Sequence, residues 1–184
     1  NVYRISGGTN SFKEIAQTGL ECIGDITSKE VYEVTELAVK SLSLISEDFK
    51  LELSHIGLLN ALLEDYELND SIKAKLIKAL SEKNAGELKS MVNAEQFKAL
   101  KCLVKSYKTP KDSIEILKNT AKSEKSKQYV NELSNLCDLL FNKGYEKNIV
   151  IDFSIISQNS YYSGIIFKGF INGISSRGLS GGQY

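Results

Sequence analysis

The sequence predicts an α+β fold in which a β-rich core is interrupted by an all-helical insert. Runs of β-branched and aromatic residues lie near both ends of the 184-residue chain, while apolar residues recur at helical spacing through its middle. The length fits one domain, or one domain with a small insert. We expect residues 1–57 to form the first part of the core, 58–145 the helical insertion and 146–184 the second part of the core.

The first strands are expected at residues 2–5 and 12–24, as a hairpin across a polar loop. In the second strand, Gln17, Gly19 and Glu21 are two residues apart and would therefore project from one face. Because Gly19 leaves space between an amide and a carboxylate, that face suits a small cavity with a polar floor.

A capping box predicts the start of the first helix, with Thr27 at the N-cap position and Glu30 at N3. The apolar residues at helical spacing after it are Val31, Val34, Leu37, Ala38, Leu42 and Ile45. Residues 49–55 then alternate apolar and polar side chains, which is typical of a half-buried strand.

From residue 58 to about residue 144 the apolar period is helical. The predicted helices cover residues 58–66, 71–80, 85–92, 94–107, 110–121 and 125–142. Asn69 and Thr109 are start signals because asparagine and threonine are favoured N-cap residues. Pro110 adds to the second signal, because a proline in the first turn loses no intrahelical hydrogen bond. Gly144 is the expected stop of the last helix.

The β pattern returns after Gly144. We expect strands near residues 148–156 and 163–172, and a third around residues 173–175. The first two are rich in isoleucine and phenylalanine, so at least one face of their sheet should be buried.

Two tyrosines follow the polar turn at residues 157–160. Tyr161 and Tyr162 each combine an apolar ring with a hydroxyl group, and each can therefore wall a pocket and donate a hydrogen bond into it. Because side chains alternate along a strand, at most one of the two is expected to point into a given pocket.

Composition argues against several classes of function. Positive and negative residues balance at 23 each, so the net charge gives no argument for nucleic-acid binding. No apolar run reaches the ~18 residues of a transmembrane helix. The sequence starts inside a predicted strand, without Met, and stops one residue after Gly181-Gly182-Gln183. We expect these two features of a fragment of a longer protein.

The chain has three cysteines and one histidine. Cys22, Cys102 and Cys137 are far apart and odd in number, which argues against a disulfide framework or a zinc site and favours a reduced, cytoplasmic compartment. We expect these cysteines to be buried as small apolar residues. His55 lies between a strand and a helix and is predicted to be structural, not a base or a metal ligand.

Two groups of residues resemble the histidyl-tRNA synthetase family of class II aminoacyl-tRNA synthetases. Arg4, a polar loop and Gln17-Thr-Gly-Leu-Glu21-Cys-Ile-Gly24 resemble motif 2 of that family. Its histidine-binding signature and the Gly-Gly-Arg-Tyr element after it resemble Asp152-Phe-Ser, Tyr161-Tyr-Ser-Gly-Ile-Ile-Phe167 and Gly181-Gly-Gln-Tyr184. This resemblance implies a class II synthetase-like, mixed but mainly antiparallel sheet with helices.

The resemblance also implies roles for individual residues. Gln17 and Glu21 correspond to residues that receive the α-amino group of histidine, and an amide oxygen and a carboxylate suit an ammonium group. Tyr162 and Tyr184 correspond to tyrosines that line the pocket for the histidine side chain. Arg4 corresponds to the arginine that holds the α-phosphate of ATP, here a possible vestige of nucleotide binding. The alternative for Gln17 and Glu21 is an exposed position on an open sheet face.

Two departures from the synthetases concern catalysis. Ser157 stands where they have an arginine, and a serine cannot supply a fixed cation to developing negative charge. Gln183 replaces the arginine of the Gly-Gly-Arg-Tyr element. The sequence thus keeps the amino-acid pocket but lacks the residues that activate the amino acid. This pattern resembles the ATP phosphoribosyltransferase regulatory subunit family, whose members are synthetase paralogues without aminoacylation activity.

That similarity implies no catalytic residue, cofactor or metal. The implied partners are L-histidine and the short catalytic ATP phosphoribosyltransferase subunit of histidine biosynthesis, in a hetero-octamer containing a synthetase-like homodimer, with no membrane involved. One alternative is a divergent histidyl-tRNA synthetase, which would activate histidine with ATP and bind tRNA. Another is a synthetase-like scaffold that binds partners without any amino acid.

Overall fold

The computed structural model describes residues 2–5, 12–105, 109–156, 161–174 and 178–184. Within these ranges the chain forms seven α-helices and six strands. The strands are β1 Val2–Ile5, β2 Phe12–Ile15, β3 Phe49–His55, β4 Ile149–Ile151, β5 Ile165–Ile171 and β6 Leu179–Gly182. The helices are α1 Ser28–Ser43, α2 Ile56–Asp65, α3 Asp70–Ser81, α4 Ala85–Met91, α5 Ala94–Val104, α6 Pro110–Thr120 and α7 Glu124–Asn142.

The N-terminal hairpin is confirmed, but its second strand is shorter than predicted. Val2 pairs with Ile15 in an antiparallel two-stranded sheet, and the loop at residues 6–11 lies outside the described residues. Residues 16–24 are exposed and form no strand. Alternation stabilises a strand only when a neighbouring sheet buries one face. The common strand face expected for Gln17 and Glu21 was therefore a wrong prediction.

The main sheet has four strands in the order β4-β3-β5-β6. The β3 strand runs parallel to β4 and antiparallel to β5, and β5 runs antiparallel to β6. The two strands on either side of residues 157–160 are therefore separated by β3. A strand was predicted around residues 173–175, but residues 173 and 174 form none, because Asn172 and Gly173 make a turn with Gly173 at φ 79°. Residue 175 lies outside the described residues. The last strand is β6 instead.

The predicted capping box of α1 is confirmed. The Thr27 side chain accepts a hydrogen bond from the Lys29 backbone N–H, and Glu30 accepts one from the Thr27 backbone N–H at 2.8 Å. The buried face of α1 is narrower than the apolar pattern predicts, because Leu37 and Ile45 are exposed.

All six helices predicted after β3 are confirmed, with ends that differ by a few residues. The side chains of Asn69 and Thr109 cap α3 and α6, and Gly144 ends the last helix region at φ 87°. In the described part of the chain, no helix is both long and apolar enough to cross a bilayer.

Helices and sheet share one hydrophobic core. The cluster of buried residues includes Leu42 of α1, Leu53 of β3, Leu62 of α2, Leu133 of α7 and Phe167 of β5. The α+β class is thus confirmed. The boundaries of the helical insertion at residues 58 and 145 stay a prediction. The hydrophobic core is continuous across both positions.

The cysteines differ in their environments. All three are free thiols; Cys102 and Cys137 are buried, whereas Cys22 is exposed, so the prediction of a buried Cys22 is wrong. Burial raises the pKa of the Cys102 thiol to about 11 and that of Cys137 to about 12. Cys22 is exposed because residues 16–24 do not join a sheet.

Candidate ligand-binding site

One face of the four-stranded sheet is apolar. The opposite face carries both polar and apolar side chains and is called the mixed face below. Leu51 pairs with Gly169, where a Cβ atom would lie 2.6 Å from Leu42 Cδ1 of α1, so the apolar face is covered by the helix. Side chains alternate along β3, which places Glu52 and Ser54 on the opposite, mixed face. Glu52 pairs there with Lys168 of β5.

Tyr162 lies on the mixed face, across β5 and β6. A Cβ atom at Gly182 would be 2.9 Å from Tyr162 Cδ1 and 2.7 Å from Ile166 Cγ2. Gly182 pairs with Ile166, so the ring of Tyr162 rests on both strands at this register. A glycine is needed at position 182 because any larger residue would displace the ring.

Tyr161 and Tyr184 extend this contact into an aromatic cluster. The Tyr161 ring centroid lies 4.4 Å from that of Tyr162 and 5.8 Å from that of Tyr184, distances typical of attractive aromatic pairs. Tyr161 and Tyr184 are exposed, whereas Tyr162 is half-buried. Because residues 161–163 form no strand, alternation does not apply, and the expected separation of Tyr161 and Tyr162 onto opposite faces is wrong.

The hydroxyl groups of Tyr161 and Tyr162 are 3.3 Å apart. This hydrogen bond, together with burial, raises the pKa of Tyr162 to about 12. At physiological pH the Tyr162 hydroxyl is protonated, as an unshifted tyrosine also is, and a phenolic hydroxyl can both donate and accept hydrogen bonds.

The backbone below the cluster is fixed by the C-terminal residues. Ser163 N donates to Gln183 O at 2.8 Å, and Gln183 N donates to Ile165 O at 2.8 Å. The side chain of Gln183 occupies the space above Gly164, where a Cβ atom would overlap with it. The residue that replaces a synthetase arginine therefore packs against the chain that carries the tyrosines.

The structure does not join all predicted site residues. Tyr162 and Tyr184 belong to one cluster, through Tyr161. Gln17 and Glu21 are exposed, and no hydrogen bond or ion pair of either side chain occurs among the described residues. Arg4 lies in β1, and its side chain lies outside the described part of the structure, as do residues 157–160. Histidine binding by these residues stays a prediction.

A charged pair lies at the edge of the mixed face. Lys83 Nζ is 2.6 Å from Asp152 Oδ2, and the carboxylate is only 6% exposed. Asp152 Oδ1 accepts a hydrogen bond from Ser154 N at 2.8 Å. Burial, and then the charge of Asp152, raise the pKa of Glu52.

His55 is structural, as predicted. It is 1% exposed, and its Nδ1 atom accepts a hydrogen bond from Leu58 N at 3.1 Å, which caps α2. Its Nε2 atom lies 3.2 Å from Glu132 Oε2.

The whole chain, residues 1–184, matches the family model described as histidyl-tRNA synthetase. The chain belongs to the histidyl-tRNA synthetase family. An ATP phosphoribosyltransferase regulatory subunit from Clostridium botulinum (strain Langeland / NCTC 10281 / Type F) is 31% identical over 193 residues, which cover 100% of this chain and 46% of the relative. The chain spans about half the length of the curated relatives that it matches.

Solved structures confirm the class II synthetase-like fold. An ATP phosphoribosyltransferase regulatory subunit/histidyl-tRNA synthetase from Bacillus halodurans matches 86% of this chain and 43% of its own, with a TM-score of 0.76 and 26% identity. An ATP phosphoribosyl transferase (HisG:HisZ) complex from Thermotoga maritima matches 98% of this chain and 64% of its own, with a TM-score of 0.78 and 23% identity.

Sequence reasoning missed the ion pair between Lys83 and Asp152 in this member of the histidyl-tRNA synthetase family. Asp152 could be noticed, since an aspartate side chain often accepts a hydrogen bond from the backbone N–H two residues later. Lys83 gave no signal, because 69 residues separate it from Asp152 and only the tertiary fold brings them together.

Proposed function

We propose that the protein is a non-catalytic regulatory subunit of ATP phosphoribosyltransferase in histidine biosynthesis. In this role it binds L-histidine and is needed for the activity and the histidine feedback inhibition of the short catalytic subunit. The observation that carries the proposal is the cluster of Tyr161, Tyr162 and Tyr184 on the sheet, in a chain whose Ser157 replaces the arginine of the synthetases.

The chemistry of the cluster supports recognition of an imidazole. Aromatic rings provide flat apolar walls, and tyrosine hydroxyls can donate to an imidazole nitrogen or accept from an imidazole N–H. Tyr162, whose pKa is raised to about 12, has a protonated hydroxyl at neutral pH, as tyrosines ordinarily do.

The same region argues against activation of the amino acid. Adenylation develops negative charge on phosphate and carboxylate oxygens, which synthetases stabilise with fixed cations. Ser157 and Gln183 are both neutral where the resemblance requires arginine, and Gln183 is committed to packing over Gly164. We therefore propose that the pocket recognises histidine and does not activate it.

Isothermal titration with L-histidine on the intact protein tests the site. Glu21→Ala removes the carboxylate proposed to bind the α-ammonium group. A hydrogen bond to a charged group contributes ~1.5–3 kcal/mol, so the affinity for histidine should fall by about 10-fold to about 150-fold. Glu47→Ala, which removes another exposed carboxylate, is the matched control and should leave binding unchanged. No binding by the wild type, or binding indifferent to Glu21, contradicts the pocket.

The partner is tested separately. The curated relatives are named regulatory subunits, which supports a catalytic phosphoribosyltransferase subunit as the partner of this protein, in the proposed hetero-octamer. Co-purification of the two, with phosphoribosyltransferase activity that falls when histidine is added, supports the full proposal. Co-purification without any histidine response favours the scaffold alternative.

A histidyl-tRNA synthetase is the second candidate function. The family model that matches residues 1–184 carries that description, which is the observation in its favour. Histidine-dependent ATP–pyrophosphate exchange separates the two functions, because only a synthetase forms the adenylate. Robust exchange by the intact protein would overturn the regulatory proposal.

A further inference from the structure

Residues 161–164, which carry two of the three clustered tyrosines, are bonded on both sides. On one side Ser163 N donates to Gln183 O at 2.8 Å. On the other side Ile56 N, at the start of α2, donates to Gly164 O at 3.0 Å. Residues 161–164 belong to no strand, so these bonds attach the segment to the chain after β6 and to α2.

The bond from α2 satisfies a donor and an acceptor that depend on it. Ile56 is the first residue of α2, and the first N–H groups of a helix have no partner within that helix. Gly164 is buried, so its carbonyl group is shielded from water. A buried carbonyl that loses its hydrogen bond is costly. Loss of the Ile56 N–H would therefore favour movement of Gly164, and of the chain before it, toward solvent.

The start of α2 is itself fixed by α7. His55 Nδ1 accepts a hydrogen bond from Leu58 N at 3.1 Å, and His55 Nε2 lies 3.2 Å from Glu132 Oε2 of α7. The rings of His55 and Tyr129 have centroids 4.7 Å apart. Both rings lie so close to Gly57 that a Cβ atom there would be 3.0 Å from each of them. The first turn of α2 therefore has little freedom to move.

The ring of Tyr162 is sensitive to the position of this segment above the sheet. It lies so close to β6 that a Cβ atom at Gly182 would be 2.9 Å from Tyr162 Cδ1. The Tyr162 hydroxyl is 3.3 Å from that of Tyr161, whose ring centroid is 5.8 Å from that of Tyr184. Because Gly164 is only two residues away, its movement would separate these contacts.

We propose that the Ile56 N–H is a positioning group for the tyrosine cluster, because its hydrogen bond to Gly164 O holds residues 161–164 where the ring of Tyr162 rests on β5 and β6. Occupation of the ligand site is thereby coupled to the first turn of α2 and, through His55, to α7. The inference deepens the proposed histidine site, on which its affinity readout rests. Its first readout requires no ligand.

The test compares Ile56→Pro with Ile56→Ala. Proline removes the N–H and is favoured at the first position of a helix. His55, directly before it, has φ −140° and ψ 113°, which is the extended conformation that proline favours in the preceding residue. Alanine keeps the N–H but also shortens the side chain, so Ile56→Ala is the matched control for lost packing.

Ring contacts and amide exchange are measured first, by NMR without ligand. In Ile56→Pro we expect weaker nuclear Overhauser effects between the rings of Tyr161 and Tyr162 and faster exchange at residues 163–164, whereas Ile56→Ala should match the wild type. Exchange at residues 76–80 of α3 reports global unfolding, so a change confined to residues 163–164 identifies a local effect. Local changes that are absent from Ile56→Pro, or equally large in Ile56→Ala, would overturn the positioning role.

Histidine affinity is measured next, by titration of the same variants. Ile56→Pro should bind L-histidine about 5-fold to 10-fold more weakly than Ile56→Ala, within the usual range of coupling between sites. Because coupling is reciprocal, saturating histidine should slow exchange of the Ile56 amide in the wild type. Equal affinities of the two variants contradict the coupling.

Two outcomes need the wild type alone. If Ile56→Pro does not fold, an Ile56 amide whose exchange is indifferent to histidine overturns the inference. If the wild type binds no histidine, the proposed function fails, and the ring contacts and exchange measured without ligand decide the role of Ile56.

Discussion

At the scale of single residues, His55 shows how burial sets the protonation state of a side chain. Its Nδ1 accepts the hydrogen bond from Leu58 N, so the ring proton is on Nε2, facing Glu132. The ring also packs against Tyr129, with centroids 4.7 Å apart. A second proton would have to enter at Nδ1 and would remove the cap of α2.

The pH dependence of stability should reflect this arrangement. Burial lowers the pKa of His55 despite the opposing effect of Glu132. The unfolded chain therefore binds a proton near pH ~6.5, and the folded chain only at lower pH. The stabilisation is complete above about pH 6.5 and is lost as the pH falls from there through the folded pKa.

Urea unfolding at about pH 7.5 and about pH 5.5 measures this effect in the wild type and in His55→Gln. We expect the wild type to lose more free energy of unfolding on acidification than the variant does. At the higher pH the variant should be less stable by at least ~1 kcal/mol, the usual contribution of a helix cap. Equal losses in the two proteins would show that His55 is not the titrating group.

Local sequence signals identified residues whose partners are close in the chain. Thr27, Asn69 and Thr109 were correctly predicted as caps because each bonds to a backbone N–H two or three residues later. Asp65 gave no such signal. It accepts hydrogen bonds from Lys122 N and Ser126 Oγ at the start of α7, more than fifty positions along the chain.

At the scale of elements, the contact between α1 and β5 depends on a missing side chain. Leu42 is 1% exposed and fills the space above Gly169. Gly169→Ala forces its methyl group into Leu42 and should destabilise the protein by ~1–3 kcal/mol, as overpacked cores do. Chemical unfolding with an extrapolated free energy measures this loss.

A double variant separates overpacking from any general effect of a substitution in β5. Leu42→Ala alone leaves a cavity and should cost ~2–5 kcal/mol. In the double variant the new methyl group enters that cavity, so its cost should be smaller than the sum of the two single costs by ~0.5 kcal/mol or more. Strict additivity would mean that the two side chains do not compete for the same space.

Strand predictions were less accurate than helix predictions for a physical reason. A helix satisfies its own backbone hydrogen bonds, so its period and caps are visible in a short window. A strand needs a partner from elsewhere. The extension of β2 to residue 24 was wrong because no described strand pairs with residues 16–24, and β6 was missed because Gly181 and Gly182 give it no β-branched pattern.

At the scale of the whole molecule, the helical block, which consists of α2 to α7, connects two neighbouring parallel strands. The chain leaves β3, forms α2 to α7 and returns as β4, which pairs with β3 from Leu51↔Ile149 to Leu53↔Ile151. Parallel neighbours require a long crossover. The sequence indicated an insert between two parts of a core, but it could not show that the insert ends beside the strand from which it started.

The crossover predicts that the helical block and the main sheet unfold together. Leu133 of α7 and Leu53 of β3 belong to one core, and both are fully buried. We therefore expect one denaturant transition, with the same midpoint by far-UV circular dichroism and by tyrosine fluorescence.

Leu133→Ala and Leu53→Ala should each shift that single midpoint, by ~2–5 kcal/mol in free energy, whichever probe is used. The helices of residues 56–142, expressed alone, should remain largely unfolded, because they would expose the side chains that β3, β4 and β5 cover. Two separate transitions, with Leu53→Ala moving one and Leu133→Ala the other, would instead show that the helical insertion is an independent domain.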